Sequence, residues 1–157
     1  MVPFSSNRAV SMVERGQIRN RALAQKIRDF SGLRYGKITP SDIDAALEFN
    51  GRLFIFIEGK RTGAPLSYGQ RLMFERLTDA LDCHPVRICT TVIVDHEDID
   101  GVDVDYAGAI VRAYRWRGKW LHPMSQKRTL REFVDRMIAF ESNMRRAKLR
   151  VIDGGRA

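Results

Sequence analysis

Two β-rich runs separated by Asn50-Gly51 constrain the fold of this chain more than any other feature. Asn-Gly favours the left-handed backbone of a tight hairpin turn. The loop length then decides which side chains share a face, because a slip of one residue exchanges the two faces of a strand. We therefore expect the segment from Asp42 to Lys60 to form an antiparallel hairpin whose register determines its chemistry.

Two loop lengths distribute the side chains differently. A two-residue loop pairs Phe49 with Arg52 and separates Asp44 from Glu58. A three-residue loop, Phe49-Asn50-Gly51, pairs Glu48 with Arg52 and divides apolar from charged side chains. We predict this second register for that reason. Its apolar face carries Ile43, Ala45, Leu47, Leu53, Ile55 and Ile57, and its other face carries Asp42, Asp44, Glu48, Arg52, Phe54, Phe56, Glu58 and Lys60.

The predicted register gathers Asp42, Asp44, Glu58 and Lys60 at the open end of the hairpin. Solvated carboxylates at a strand end are the simpler interpretation. However, Glu58 and Lys60 end the most apolar strand of the chain, where charge seldom lacks a partner. A hard cation such as Mg²⁺ would relieve the repulsion between the carboxylates and could activate water for attack on a phosphate. Lys60 could position that water or stabilise the developing charge.

Periodicity and turn residues predict a mixed α/β fold in one domain, 1–157. The chain has 157 residues, which suits one domain of ordinary size, and no linker divides it. Thr129 and Glu132 predict a capping box at the start of the last helix. The expected elements are a helix at Gln17–Phe30, the hairpin, a helix at Ser67–Leu81 with Leu72, Leu77 and Leu81 buried, a strand at Arg87–Val94, a strand pair within Ala107–Leu121, a helix from Thr129 to about Met144 and a frayed tail at Arg145–Ala157.

Charge is unevenly distributed along the chain. Twenty-seven Lys and Arg against nineteen Asp and Glu give a net charge of +8. Segments 8–37 and 112–150 are strongly basic, whereas segment 79–105 is acidic. This distribution favours a polyanionic partner, although solvated charged faces are the commoner explanation of such runs.

The hairpin motif resembles that of the PD-(D/E)xK nuclease superfamily, which includes restriction enzymes, Holliday-junction resolvases and recombination exonucleases. The likeness consists of Asp42-Ile-Asp44, thirteen intervening residues and then Glu58-Gly-Lys60, with Gly69-Gln70 opening the following helix. It spans about residues 17–94. It implies an α-β-β-β-α-β core, with a mixed central sheet flanked by helices, followed by added strands and a C-terminal helix. The segment Arg34–Thr39 would then supply the first strand.

The resemblance also implies roles for individual residues. Asp44 and Glu58 correspond to the metal-binding acids, and Asp42 is a neighbour with a second-metal or structural role. Lys60 corresponds to the catalytic lysine, and Gln70 to the glutamine that follows the E-x-K strand in the recombination-exonuclease branch. The implied activity is a Mg²⁺-dependent nuclease, with Mn²⁺ as a substitute, acting on DNA rather than RNA. Compact nucleases of this kind are common in phages and mobile elements.

Two departures favour an alternative, a nucleic-acid-binding protein on the same fold that has lost catalysis. Phe74 stands where that branch places a tyrosine. Many members carry a glutamate on the first helix, whereas here Glu14 lies just ahead of it. A homodimer would suit two cuts, but no residue pattern requires one.

Tyr114 to Trp120 alternates aromatic and basic residues across a turn. This pattern suits a wing that stacks on bases, and equally a hairpin with its aromatics in the core. The nucleic-acid-binding candidates are Arg115, Trp116, Arg117, Lys119, Lys127 and Arg128.

The sequence also carries expectations about location. No apolar run approaches the length of a membrane span, and the N-terminal segment lacks the pattern of a secretion signal. Two cysteines are too few for a disulfide framework. We therefore expect a cytoplasmic protein that makes no membrane contact.

Overall fold

The computed structural model describes residues 30–97, 99, 103–123 and 126–154, without the side chains of residue 31 and of residues 149–154. The chain divides into two units, Met1–Pro40 and Ser41–Ala157. Residues 17–29 of the predicted first helix lie outside the described residues, as does Glu14.

The described part of the first unit is short. A 3-10 helix at Ser31–Leu33 is followed by a turn in which Tyr35 and Ile38 exchange backbone hydrogen bonds of 2.9 and 3.0 Å. The expectation that Arg34–Thr39 supplies a sheet strand is therefore wrong. Gly36 interrupts the segment with a positive φ of 64°, which turns the backbone back on itself.

The described residues of the second unit form a mixed α/β fold, with five strands in the order β1-β2-β3-β4-β5 and two helices. Strands β2 and β3 are parallel and are connected through α1, and the other neighbouring pairs are antiparallel. The elements are β1 at Ala45–Phe49, β2 at Leu53–Arg61, α1 at Tyr68–Asp82, β3 at Ile88–His96, β4 at Ile110–Trp116, β5 at Lys119–Leu121 and α2 at Leu130–Gly154.

The hairpin keeps the predicted faces but not the predicted register. Asn50 and Gly51 have φ values of 54° and 67°, and the Arg52 amide closes the turn on the Phe49 carbonyl at 3.0 Å. Arg52 is then left out of the ladder, so Phe49 pairs with Leu53. The predicted pairing of Glu48 with Arg52 is wrong by two residues. Because a shift of two preserves the alternation, the paired residues Ala45–Phe49 and Leu53–Ile57 keep their expected faces, whereas Arg52 leaves the charged face for the turn.

One face of the sheet packs against α2. Leu53, Ile55 and Ile57 of β2 belong to a buried cluster with Phe133 and Met137 of α2. Strand β3 is buried along Ile88–Val94, as expected for a central strand covered on both sides. This central position explains its β-branched composition.

The other face packs against α1. Ser67 caps this helix by accepting the Gln70 amide at 3.2 Å, as Ser commonly does. Phe74 and Thr78 are its fully buried side chains. Leu72, Leu77 and Leu81, which were expected to be buried, are half-buried. The Thr78 and Thr91 hydroxyls are 2.6 Å apart, which joins α1 to β3. The structure thus places Phe74 in the core.

The last helix begins as predicted and ends later. The Glu132 carboxylate accepts the Thr129 amide at 2.9 Å, and the Thr129 hydroxyl accepts the Glu132 amide at 3.2 Å. This reciprocal pair is the predicted capping box. Helix α2 continues to Gly154, so the expectation of a frayed tail is wrong for residues 145–154. That stretch contains no proline, and its glycine comes only at the end.

No helix within the described residues is both long and apolar enough to cross a membrane.

Candidate functional site

Five of the predicted site residues, Asp42, Asp44, Glu58, Lys60 and Gln70, lie where β2 and β3 end. Glu58 and Lys60 lie near the C-terminal end of β2, and their partners on the parallel strand β3 are Ile93 and Asp95. Helix α1 begins beside them and supplies Gln70. Ligands of open α/β sheets commonly bind outside the carboxyl ends of parallel strands, so this position suits a site.

Glu58, Lys60 and Gln70 form a closed ring of polar contacts. The Lys60 ammonium is 2.7 Å from Glu58 Oε1 and donates to Gln70 Oε1 at 3.1 Å. The side-chain amide nitrogen of Gln70, Nε2, in turn donates to Glu58 Oε1 at 2.8 Å. Each side chain therefore contacts the other two, which fixes the three rotamers together.

The two carboxylate oxygens of Glu58 differ in their hydrogen bonding. Glu58 is only 2 % exposed, and its Oε2 is buried without a hydrogen bond among the described residues. Burial raises the pKa of Glu58 above its usual value, and the negative charges of Asp44 and Asp42 raise it further, while Lys60 acts in the opposite direction. An unpaired carboxylate oxygen at this depth is costly and calls for a cation or a proton.

Asp44 reaches the same region from the residue before β1. Its Oδ2 accepts the Gly59 amide at 2.7 Å, so the side chain continues the hydrogen bonding of β2 beyond the last strand pair. Asp42 lies exposed nearby and acts on Glu58 through its charge. Asp42, Asp44, Glu58 and Lys60 are thus close together as predicted, with two more negative than positive charges if all are ionised.

Tyr106 is a site residue that the sequence did not indicate. Its hydroxyl donates to Asp44 Oδ2 at 3.1 Å, across 62 residues of chain. Burial, together with the charge of Asp44, raises the pKa of Tyr106 to about 12, so the phenol remains a donor at neutral pH. No local pattern around Tyr106 marks it, because the contact arises only from the return of the chain before β4.

Asp95 adjoins the site as the strand partner of Lys60. Its carboxylate accepts a hydrogen bond from Arg112 Nε at 2.8 Å, and Arg112 Nη1 donates to the Ala64 carbonyl at 2.6 Å. A bulge between Ile93 and Val94 accompanies this arrangement. Arg112 thereby fastens β4 to the loop that leads from β2 to α1.

The donor set of the site fits Mg²⁺. Within the described ranges, no group of three or more His, Cys, Asp or Glu side chains is arranged as a metal site. Mg²⁺ requires fewer protein ligands, because it commonly binds one or two carboxylates and completes its shell with water and phosphate oxygens. Among the described residues, Glu58 Oε2 has no hydrogen-bond partner, and Asp44 accepts hydrogen bonds only at Oδ2. Two carboxylate oxygens therefore remain for a cation.

Arg115 and Trp116 occupy positions that differ from the expected nucleic-acid contacts. Arg115 is 7 % exposed, and its guanidinium donates to both carboxylate oxygens of Asp79 on α1, at 2.8 and 2.5 Å. Trp116 packs edge-on against Phe140 of α2, with ring centroids 5.3 Å apart. The expectation that these two side chains bind nucleic acid conflicts with this packing, which follows from the cover that α1 and α2 provide.

The other basic candidates lie at two ends of the sheet. Arg117 and Lys119 are exposed at the β4–β5 turn, about six residues or 20 Å along the strands from Lys60. Lys127 is exposed, and the carbonyl of half-buried Arg128 accepts the Val111 amide at 2.8 Å. Lys127 and Arg128 therefore lie at the same end of the sheet as the carboxylates.

Comparison of the chain with protein-family models, with curated proteins and with solved structures gives no match.

Proposed function

We propose that this protein is a Mg²⁺-dependent nuclease that hydrolyses phosphodiester bonds of DNA, with structure-selective or weak sequence specificity. The environment of the Glu58 carboxylate is the main support for this proposal. The carboxylate is buried, one of its oxygens has no hydrogen-bond partner in the described part of the chain, and Asp44, Lys60 and Gln70 surround it. The resemblance of the hairpin motif to the PD-(D/E)xK nucleases supports the same activity.

The roles of the residues follow from their contacts. Asp44 and Glu58 would hold the cation, and Asp42 would contribute negative charge beside it. Bound Mg²⁺ supplies a more acidic water and neutralises charge on the phosphate. Lys60 places a positive charge next to Glu58, where it can stabilise negative charge on the reacting phosphate. Gln70 orients both Glu58 and Lys60.

The charge distribution supports a polyanionic substrate. Lys127 and Arg128 lie at the carboxylate end of the sheet, where contacts to phosphates would position a strand without reading its sequence. The net charge of +8 would add a long-range attraction. Arg117 and Lys119 could contact only a substrate that extends about 20 Å from the site.

A substrate panel tests the proposal. Purified protein is incubated with labelled single-stranded, duplex and branched DNA and with RNA, in Mg²⁺, in Mn²⁺ and in EDTA. We expect cleavage of DNA in both metals and none in EDTA. Salt-dependent binding without cleavage on any substrate would contradict the nuclease proposal and favour the binding protein that has lost catalysis. Absence of both binding and cleavage would contradict both.

A further inference from the structure

Gly59, between Glu58 and Lys60, lies where the Tyr106 side chain approaches Asp44. Along β2, Ile57 faces the α2 core, whereas Glu58 faces Gln70 on α1. Gly59 must therefore face the α2 side again, because successive residues of a strand alternate. Tyr106 packs against the cluster on that side.

Tyr106 occupies the space that a side chain at position 59 would need. A Cβ atom placed on Gly59 would lie 2.7 Å from both Cε1 and Cζ of Tyr106, and its hydroxyl oxygen would be closer still. Real contacts of this kind are longer than 3.0 Å, so any other residue would displace the phenol. The close approach depends on the missing side chain.

The phenol and the Gly59 amide act on the same atom. Asp44 Oδ2 accepts the amide at 2.7 Å and the Tyr106 hydroxyl at 3.1 Å. Two donors on one oxygen fix the plane of the carboxylate, and among the described residues no hydrogen bond reaches Oδ1. The carboxylate is thus anchored at one oxygen and open at the other.

We propose that Tyr106 is a positioning residue, which holds Asp44 so that its free oxygen faces the cation, and that Gly59 is required because it admits the phenol. The cation-binding part of this inference rests on the proposed nuclease function, whereas the anchoring of Asp44 does not. Donors that orient a ligating carboxylate commonly contribute tenfold or more to metal affinity.

The test compares Tyr106→Phe with Tyr114→Phe. Tyr114 also packs on the α2 side, 5.1 Å from the ring of Phe133, and its hydroxyl makes no hydrogen bond among the described residues, so this variant removes a hydroxyl without removing an anchor. Hydrogen exchange of the Gly59 amide is followed by NMR without metal. Mn²⁺ binding is measured by calorimetry, and thermal unfolding reports on the fold.

We expect Tyr106→Phe to accelerate exchange at Gly59 several-fold and to weaken Mn²⁺ binding about tenfold, with little change in the unfolding temperature. Tyr114→Phe should leave exchange and Mn²⁺ affinity unchanged. Gly59→Ala should reproduce the effects of Tyr106→Phe.

Unchanged exchange at Gly59 in Tyr106→Phe would overturn the anchoring. Unchanged Mn²⁺ affinity in that variant, beside a wild type that binds, would overturn the positioning role. A wild type that binds no Mn²⁺ would overturn that role together with the proposed metal dependence, while the exchange rates would still decide the anchoring.

Discussion

The side-chain amide of Gln70 donates to Oε1 of Glu58 at 2.8 Å, which joins the first turn of α1 to the end of β2. Lys60 contacts the same oxygen at 2.7 Å. Both donors therefore contact one oxygen of a buried carboxylate, while no described residue donates a hydrogen bond to the other. This asymmetry gives Glu58 a measurable effect on stability as well as a proposed role in binding a cation.

Replacement of Glu58 should reveal a dependence of stability on pH. The pKa of Glu58 is raised in the folded protein. At pH values between the unfolded and folded pKa, the folded state therefore holds a proton that the unfolded state has lost. The contribution of Glu58 to the free energy of unfolding is therefore largest below the unfolded pKa and falls as pH rises through the folded pKa. We expect Glu58→Gln to gain stability relative to wild type from pH 4 to pH 7, by about 1.4 kcal/mol for each unit of the pKa difference.

Urea unfolding in EDTA at several pH values measures this effect. Glu141→Gln on α2 removes a carboxylate from another part of the fold and serves as the control. If the difference in the free energy of unfolding between wild type and Glu58→Gln stays constant across this pH range, the pKa of Glu58 is not raised by burial.

Arg115 should affect stability and not DNA binding. Its guanidinium is buried against Asp79, so Arg115→Met leaves that carboxylate without its partner. We expect a loss of about 2–3 kcal/mol in the free energy of unfolding, less than for a fully buried pair because the Asp79 side chain is 43 % exposed. Denaturant titration provides the measurement, with Arg117→Met as the exposed control. An unchanged stability would contradict the structural role of the pair.

The effect of Lys119 should depend on the length of the DNA. The β4–β5 turn lies about 20 Å from the carboxylates, which corresponds to about six base pairs. We expect Lys119→Ala to weaken binding of a 20-base-pair duplex and to reduce its salt slope by about one, but to leave a five-base-pair duplex unaffected. Lys127→Ala should weaken both. Fluorescence anisotropy at several salt concentrations distinguishes these outcomes, and equal effects of the two variants on the short duplex would refute the assignment.

Local patterns predicted the part of the site that lies on one hairpin and one helix start. The alternation of β1 and β2 brought Asp44, Glu58 and Lys60 together, although the loop was assigned one residue too early. That error did not matter for the site because a shift of two residues preserves the faces. The helix expected at Ser67–Leu81 is observed at Tyr68–Asp82 with Ser67 as its cap, whereas the choice of Gln70 as a site residue came from the family resemblance.

Features that depend on distant segments could not be predicted. Alternation in β4 showed that Arg115 and Trp116 lie on opposite faces, but not that α1 and α2 would cover both. The contact of Tyr106 with Asp44 joins residues 62 apart and has no local signal. The strand expected at Arg34–Thr39 came from the family resemblance, whereas Gly36 makes this segment a turn.

The rate of metal-dependent cleavage by Lys60→Ala tests directly whether the cluster of Asp44, Glu58 and Lys60 is catalytic. The matched control is Lys148→Ala, which removes the same charge beside the Pro85 carbonyl, at the opposite end of β3 from Asp95. Single-turnover rates are measured on labelled DNA in Mg²⁺, with protein in excess so that weaker binding does not limit the rate. We expect Lys60→Ala to cleave at least 100-fold more slowly than wild type, and Lys148→Ala to cleave at nearly the wild-type rate. Equal rates for wild type and Lys60→Ala would contradict a catalytic role for Lys60.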